Sequence, residues 1–185
     1  MKKPSMKDYK PILVECLRKT INEPGFSIFQ ENSNETICYY ENGKLYKSRM
    51  IHEQAITHRL SVYLELSNVF SGYTIDCEYN RHLYHTKKTD SNGDTFRPDI
   101  IIHERRTDQN NLIYIEVKQQ DSHIFNSKND TIEYISKMKY RKKLYNYQFA
   151  YLIIIPAINI ETLERYVIDV CDQNLNENGL LEFIK

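Results

Sequence analysis

Residues 98–118 read PDIIIHERRTDQNNLIYIEVK. Two β-prone runs, at 99–104 and 112–118, flank a short charged segment. Runs of this length that are rich in β-branched and aromatic residues are typical of strands, and a short polar connection is typical of antiparallel neighbours. The sequence therefore predicts an antiparallel strand pair here.

Polar side chains stand at one end of this predicted pair. Asp99 directly precedes three isoleucines, where a carboxylate is costly unless something neutralises it. Glu116 and Lys118 lie two residues apart, so on a strand they share a face. Antiparallel pairing of the two strands then places Asp99 close to Glu116, and the sequence predicts an acidic site with one lysine beside it.

Two neighbouring carboxylates repel each other, and a divalent cation removes the repulsion. Hard oxygen ligands favour Mg²⁺ or Mn²⁺ over softer metals. Such an ion can polarise a phosphodiester and activate a bound water. Lys118 could orient the attacking water or offset charge on the pentavalent phosphorus, and the sequence leaves these two roles open.

The elements around this strand pair alternate between helices and strands. Apolar spacing predicts a helix at about 50–66, a strand at 73–79, a polar loop at 81–93, a basic helix at 130–147 and a strand at 149–155. The last strand is almost wholly apolar, which favours burial on both faces of a sheet. We expect an α/β (α+β) fold with a mixed sheet flanked by helices, in which the basic helix crosses over to a parallel strand.

The flanking segments complete a single predicted domain of 185 residues. Residues 1–49 are expected to add a helix at 8–22 and a hairpin around Asn42-Gly43. Residues 50–156 form the expected core. Residues 157–185 are expected to contain a last helix, at 161–169, and a tail.

The Pro98-Asp99 pair and the run Ile115-Glu116-Val117-Lys118 together resemble the PD-(D/E)xK signature of the restriction-endonuclease-like nuclease superfamily. That superfamily's core of helix, three strands, helix and strand is the order expected here over about 105 residues. The segments IHEQAITHRLSVYLE and DCEYNR are also similar to small uncharacterised bacterial members. Residues 1–49 match no family in this way.

This resemblance implies a Mg²⁺-dependent phosphodiesterase or endonuclease. Asp99 and Glu116 would hold the metal, Glu53 on the first core helix would be a third ligand, and Lys118 would assist catalysis. DNA is the implied substrate, in restriction, repair or defence. Glu53 could also be an ordinary acid in the first turn of a helix, and Glu78 is either a further acid of the pocket or an exposed strand residue.

Nucleic-acid binding would have to use local basic patches, because 25 basic residues balance 25 acidic ones. The candidates lie in the 81–93 loop and on the basic helix: Arg81, Lys87, Lys88, Lys137, Arg141 and Lys142. A solvated helix face would explain the helical members equally well.

The rest of the composition excludes several classes. The four cysteines are scattered without a CxxC pair, which argues against structural zinc and favours reduced thiols in a cytoplasmic protein. The longest apolar stretch, 150–158, contains a proline and is too short to span a bilayer, and the N-terminus has no secretory signal pattern.

Alternatives to a nuclease remain open. One is a catalytically silent protein of the same fold that binds nucleic acid or a partner, and another is a toxin- or antitoxin-like accessory protein. The sequence does not separate DNA from RNA, single from double strands, or internal from terminal cleavage. Cleavage of both strands of a duplex would favour a homodimer.

Overall fold

The structure is a computed structural model. It describes residues 9–23, 39–41, 44–46, 53–79, 81, 82, 86–89, 93, 95–107, 109–120, 122–155 and 162–172. The strand residues between 39 and 46 and between 81 and 87 are described by their backbone alone.

Three α-helices lie among the described residues: α1 (Tyr9–Ile21), α2 (Glu53–Leu66) and α3 (Lys128–Leu144). Helix α1 buries Leu13, Leu17 and Ile21, whose spacing of four residues keeps them on one face. Helix α3 begins after Ser127, whose hydroxyl accepts a hydrogen bond from the Asp130 backbone N–H at 3.1 Å and so caps the helix. The apolar spacing and the capping residue thus explain these two helices.

The described strands are short at the periphery and long in the centre. They are β1 (Tyr39–Glu41), β2 (Lys44–Tyr46), β3 (Thr74–Cys77), β4 (Arg81–His82), β5 (Thr86–Lys87), β6 (Ile100–His103), β7 (Asn111–Gln119), β8 (Phe149–Ile155) and β9 (Val167–Asp169). Antiparallel pairs form between β1 and β2 and between β4 and β5.

Five of these described strands form the mixed sheet of the core, in the order β3-β6-β7-β8-β9. Strands β6 and β7 are antiparallel, with Ile100 opposite Ile115, and β7 and β8 are parallel. The parallel pair requires a long crossover, which α3 supplies. Every residue of β6 and β8 is buried, as expected of strands covered on both faces.

Helices cover both faces of this sheet. Tyr9 of α1 packs edge-on against Phe149, which pairs with Ile113 and therefore lies on the Ile113 face. On the opposite face, the Tyr134 hydroxyl of α3 donates a hydrogen bond to Glu116. The structure is thus a mixed α+β fold whose sheet is flanked by helices, and no helix in the described part of the chain is long and apolar enough to cross a membrane.

Most of the predicted elements are confirmed. The chain has α1, the β1–β2 hairpin and then the expected order α2, β3, β6, β7, α3, β8. The bounds differ by a few residues, as helix and strand ends usually do. The predicted hairpin turn at Asn42-Gly43 lies outside the described residues.

Two predictions about secondary structure were wrong. The segment 161–169 was expected to be a helix, but from Thr162 onward it forms a single 3₁₀ turn (Glu164–Tyr166) and strand β9. Tyr166, Val167 and Ile168 are consecutive and all buried, and Ile168 pairs with Leu152 on the edge of β8. The segment 81–93 was expected to be a loop but contains β4 and β5.

The outer edge of the sheet carries a partly buried ion pair. The Asp76 Oδ2 atom lies 2.9 Å from His103 Nε2 and accepts a hydrogen bond from Arg105 Nε at 3.0 Å. Burial raises the pKa of Asp76, but hydrogen bonds from Arg105 and His103 outweigh it and hold that pKa below its usual value. Burial also lowers the pKa of His103, against the opposing effect of Asp76.

We expect these two groups to make stability fall as the pH falls. Both pKa values are lower in the folded chain, so their contributions are complete above the unfolded-state values, about 6.5 for His103 and 3.8 for Asp76. Protonation of the unfolded chain then favours unfolding below about pH 6.5 and more strongly below about pH 4. Urea unfolding between pH 8 and pH 4 measures this dependence.

The matched variant is His103→Gln, because glutamine can still donate to Asp76 but does not titrate. We expect it to flatten the pH dependence between pH 7 and pH 5, whereas His58→Gln, at an exposed position of α2, should keep the wild-type slope. An unchanged slope in His103→Gln would show that His103 does not carry the effect.

Candidate active site

The polar end of the β6–β7 pair lies where the sequence predicted it. Asp99 precedes β6, and the antiparallel register sets this start beside the end of β7. The backbone N–H of Val117 donates a hydrogen bond of 2.7 Å to Asp99 Oδ2. This bond fixes the Asp99 carboxylate against the strand that carries Glu116 and Lys118.

The Lys118 ammonium lies among three carboxylates from three separate segments of the chain: the start of α2, the residue before β6, and β7. Its Nζ atom is 2.8 Å from Glu53 Oε1, 3.3 Å from Asp99 Oδ2 and 3.9 Å from Glu116 Oε2. It also donates to the Val117 carbonyl oxygen at 2.7 Å. The structure thus brings together all four residues that the sequence and the resemblance proposed as catalytic.

Glu116 is the most enclosed of the three acids, with 5% of the residue exposed. Its Oε1 atom accepts a hydrogen bond from the Tyr114 hydroxyl and lies 3.8 Å from an Arg141 nitrogen. Its Oε2 atom accepts a hydrogen bond of 3.0 Å from the Tyr134 hydroxyl. Each oxygen of Glu116 therefore accepts a hydrogen bond from a tyrosine, and Oε2 also lies near Lys118.

Burial and charge shift the proton affinities at this site. Burial and the neighbouring Asp99 raise the pKa of Glu116 to about 7, against the opposing effect of Lys118. Burial alone would lower the pKa of Lys118, but Asp99 and Glu116 outweigh it and raise that pKa. The lysine therefore stays charged and the acids gain a counterion.

A pocket of about 230 Å³ opens beside Asp99, and it is lined by Glu53, Gln54, Thr57, His58, Cys77, Glu78 and Asp99. Glu78 has a left-handed backbone (φ 51°) directly after β3. Its carboxylate accepts a hydrogen bond from Gln54 at 2.9 Å and lies 3.3 Å from an Arg97 nitrogen. Glu78 is thus an acid of the pocket wall that is paired with Gln54 and Arg97.

The donor set suits a hard divalent cation. Three carboxylates and the Val117 carbonyl approach one ammonium, so oxygen atoms of the type that Mg²⁺ prefers already surround one positive charge. No three acidic, histidine or cysteine side chains of the described ranges are arranged as a ready metal site. A divalent cation at this point would therefore bind beside the Lys118 ammonium or displace it.

The basic residues proposed to contact nucleic acid differ in how exposed they are. Lys88 is 3% exposed and its ammonium lies 4.3 Å from the centre of the Tyr145 ring. Arg141 also points inward, with its guanidinium 4.4 Å from the centre of the Phe96 ring. These two basic side chains therefore lie among aromatic rings and do not form an open basic surface.

The remaining candidates are on the outside or are not described. Lys137 forms a surface ion pair of 2.6 Å with Glu133, and Lys142 is half-buried on α3. The side chains of Arg81 and Lys87 lie outside the described part of the structure. A role of these four in binding nucleic acid stays a prediction.

Sequence reasoning missed Tyr114 and Tyr134 as partners of Glu116, and it assigned Arg141 to nucleic-acid binding instead. Tyr114 precedes Glu116 by two positions, so the period of a strand already places both side chains on one face. Tyr134 and Arg141 are seven positions apart, two turns of a helix, and so share a face of α3. The spacing could have identified the pairs, but only the packing of α3 on β7 connects them.

Comparisons with known proteins assign no family. No family model matches the sequence, and no curated protein matches it. Among solved structures, a weak likeness is to a chain of a cryoEM structure of a DrdV–DNA complex, with a TM-score of 0.36 and 14% identity. The likeness covers 94% of this chain and 13% of that one.

Proposed function

We propose that the chain is a metal-dependent nuclease that hydrolyses phosphodiester bonds, with DNA as its substrate. The observation that carries this proposal is the meeting of Glu53, Asp99, Glu116 and Lys118 at one point. Each acid comes from a different segment of the chain, so the arrangement is not a by-product of neighbours in sequence. Glu53 and Asp99 also line a pocket of about 230 Å³, so a ligand could reach these two acids from outside.

The side chains would divide the work by charge and position. Asp99 and Glu116 would hold Mg²⁺ or Mn²⁺, with Glu53 as a third ligand from the start of α2. The bound ion would polarise the phosphodiester and lower the pKa of a coordinated water. Lys118, which stays charged, would orient the attacking water or stabilise charge on the phosphoryl oxygens.

A second candidate function is a catalytically silent protein that binds nucleic acid or a partner. It is favoured by two observations within the described ranges: Lys118 already pairs with the acids, and no three potential ligands are arranged to hold a metal. A structural ion-pair cluster would look the same. The two candidates differ in whether a divalent ion binds and cleavage follows.

The test is cleavage of plasmid, linear duplex, single-stranded DNA and RNA with Mg²⁺, Mn²⁺ or EDTA. We expect cleavage with either metal and none in EDTA. Glu116→Gln should lower the rate by at least about 100-fold, because it replaces a carboxylate oxygen of a proposed metal ligand with an amide nitrogen. Glu65→Gln, at an exposed position near the end of α2, is the matched control and should cleave like the wild type.

Full activity of Glu116→Gln, or cleavage in EDTA, would contradict the proposed mechanism. If the wild type binds Mg²⁺ in calorimetry but cleaves none of these polymers, a different substrate or a partner is required. If it neither binds nor cleaves, the silent protein is the better description.

A further inference from the structure

Glu116 is surrounded by donors that the proposed reaction does not itself require. Its carboxylate accepts hydrogen bonds from the hydroxyls of Tyr114 and Tyr134, one on each oxygen. An Arg141 nitrogen lies 3.8 Å from Oε1. A carboxylate with both oxygens engaged has little freedom to rotate. Its orientation toward Lys118 is therefore set by these three side chains.

Two of these three side chains come from one face of α3. Tyr134 and Arg141 are separated by two helical turns, and both side chains face β7 at the position of Glu116. Phe96 fixes the guanidinium of Arg141 by a cation–π contact of 4.4 Å, and 14% of the Arg141 side chain is exposed. Arg141 is thus built into the wall of the site and is poorly placed to contact an external phosphate.

We propose that Tyr134 and Arg141 are positioning residues that hold the Glu116 carboxylate in the direction in which it binds the metal. The inference rests on the proposed function, since it concerns the same site. Groups that orient a metal ligand typically change metal affinity or activity by about 10- to 100-fold when they are removed. A purely structural hydrogen bond would change stability and leave metal affinity alone.

The variant that isolates the hydroxyl is Tyr134→Phe, because the ring and its packing remain. We expect Mg²⁺ affinity, measured by calorimetry on the full chain, to fall about 10- to 100-fold. Tyr140→Phe is the matched control, since Tyr140 lies on the same helix with 44% of its surface exposed, and its affinity should equal that of the wild type. Arg141→Lys keeps the charge but loses the planar contact with Phe96, and should weaken binding in the same direction.

A double-mutant cycle shows whether Tyr134 acts through Glu116. In a Glu116→Gln background, Tyr134→Phe should produce no further loss of Mg²⁺ affinity, because the group that it positions is altered. An equal loss in both backgrounds, or wild-type affinity in Tyr134→Phe, would overturn the inference and leave the nuclease proposal standing. Absence of Mg²⁺ binding by the wild type would overturn both.

Discussion

Replacing Lys118 with methionine should destabilise the metal-free protein and at the same time strengthen its binding of Mg²⁺. Methionine keeps an unbranched apolar stem but removes the charge that lies between Glu53, Asp99 and Glu116. Removal of one partner from a buried ion pair typically costs about 3–5 kcal/mol, and 17% of the Lys118 side chain is exposed. We expect a loss near the lower end, about 3 kcal/mol, or roughly 6–12 °C in Tm.

The opposite change in metal binding has the same cause. Three carboxylates without an ammonium attract a divalent cation more strongly, and an ion that binds only the folded chain stabilises it. Millimolar Mg²⁺ should therefore raise the Tm of Lys118→Met more than that of the wild type. Cleavage should nevertheless fall, because the lysine is proposed to act on the water or the phosphoryl oxygens.

Thermal unfolding at pH 8, with and without Mg²⁺, measures these effects. Lys19→Ala is a suitable control, since Lys19 forms an exposed ion pair of 3.7 Å with Glu15 and such pairs contribute less than about 1 kcal/mol. Equal Tm values and equal Mg²⁺ shifts in Lys118→Met and the wild type would contradict the role of Lys118 as an internal counterion.

Replacing Asp99 with asparagine should abolish most of the cleavage while leaving the fold in place. The asparagine carbonyl can still accept the hydrogen bond that the Val117 N–H donates at 2.7 Å. The charge of a proposed metal ligand is lost, so we expect the cleavage rate with Mg²⁺ to fall at least about 100-fold. Asp99→Ala removes the acceptor as well, and its free energy of unfolding should be about 1 kcal/mol lower than that of Asp99→Asn.

Asp169→Asn supplies the control for this pair of variants. Asp169 also accepts a hydrogen bond from a nearby backbone N–H, that of Cys171 at 2.9 Å, but it belongs to β9 at the far edge of the sheet. It should retain wild-type cleavage. Activity of Asp99→Asn within a few-fold of the wild type would exclude Asp99 as an essential ligand.

The central strands and the site were predictable because their signals are local. Asp99, Glu116 and Lys118 are placed by strand alternation and by one antiparallel pairing, and both can be read from the sequence between 98 and 118. The crossover by α3 follows from chain length and handedness rules. The structure confirms these elements and their pairing.

The missed features depend on contacts between distant segments. Strand β9 exists because β8 offers an unpaired edge, and 166–168 read equally well as an apolar turn of helix until that edge is known. Lys88 and Arg141 were placed on the surface by their charge, yet aromatic rings of Tyr145 and Phe96 bury them. Composition cannot reveal such inward cations, because the rings come from other elements.

The middle strand of the sheet carries two of the four site residues, Glu116 and Lys118. Strand β7 is hydrogen-bonded to β6 on one side and to β8 on the other, whereas β3 and β9 are the edge strands among the described residues. Local opening begins where backbone amides are exposed and contacts are few, so the edges should exchange their amide hydrogens first and β7 last. The part of the candidate site on β7, Glu116 and Lys118, is therefore expected to persist in partially opened states of the chain.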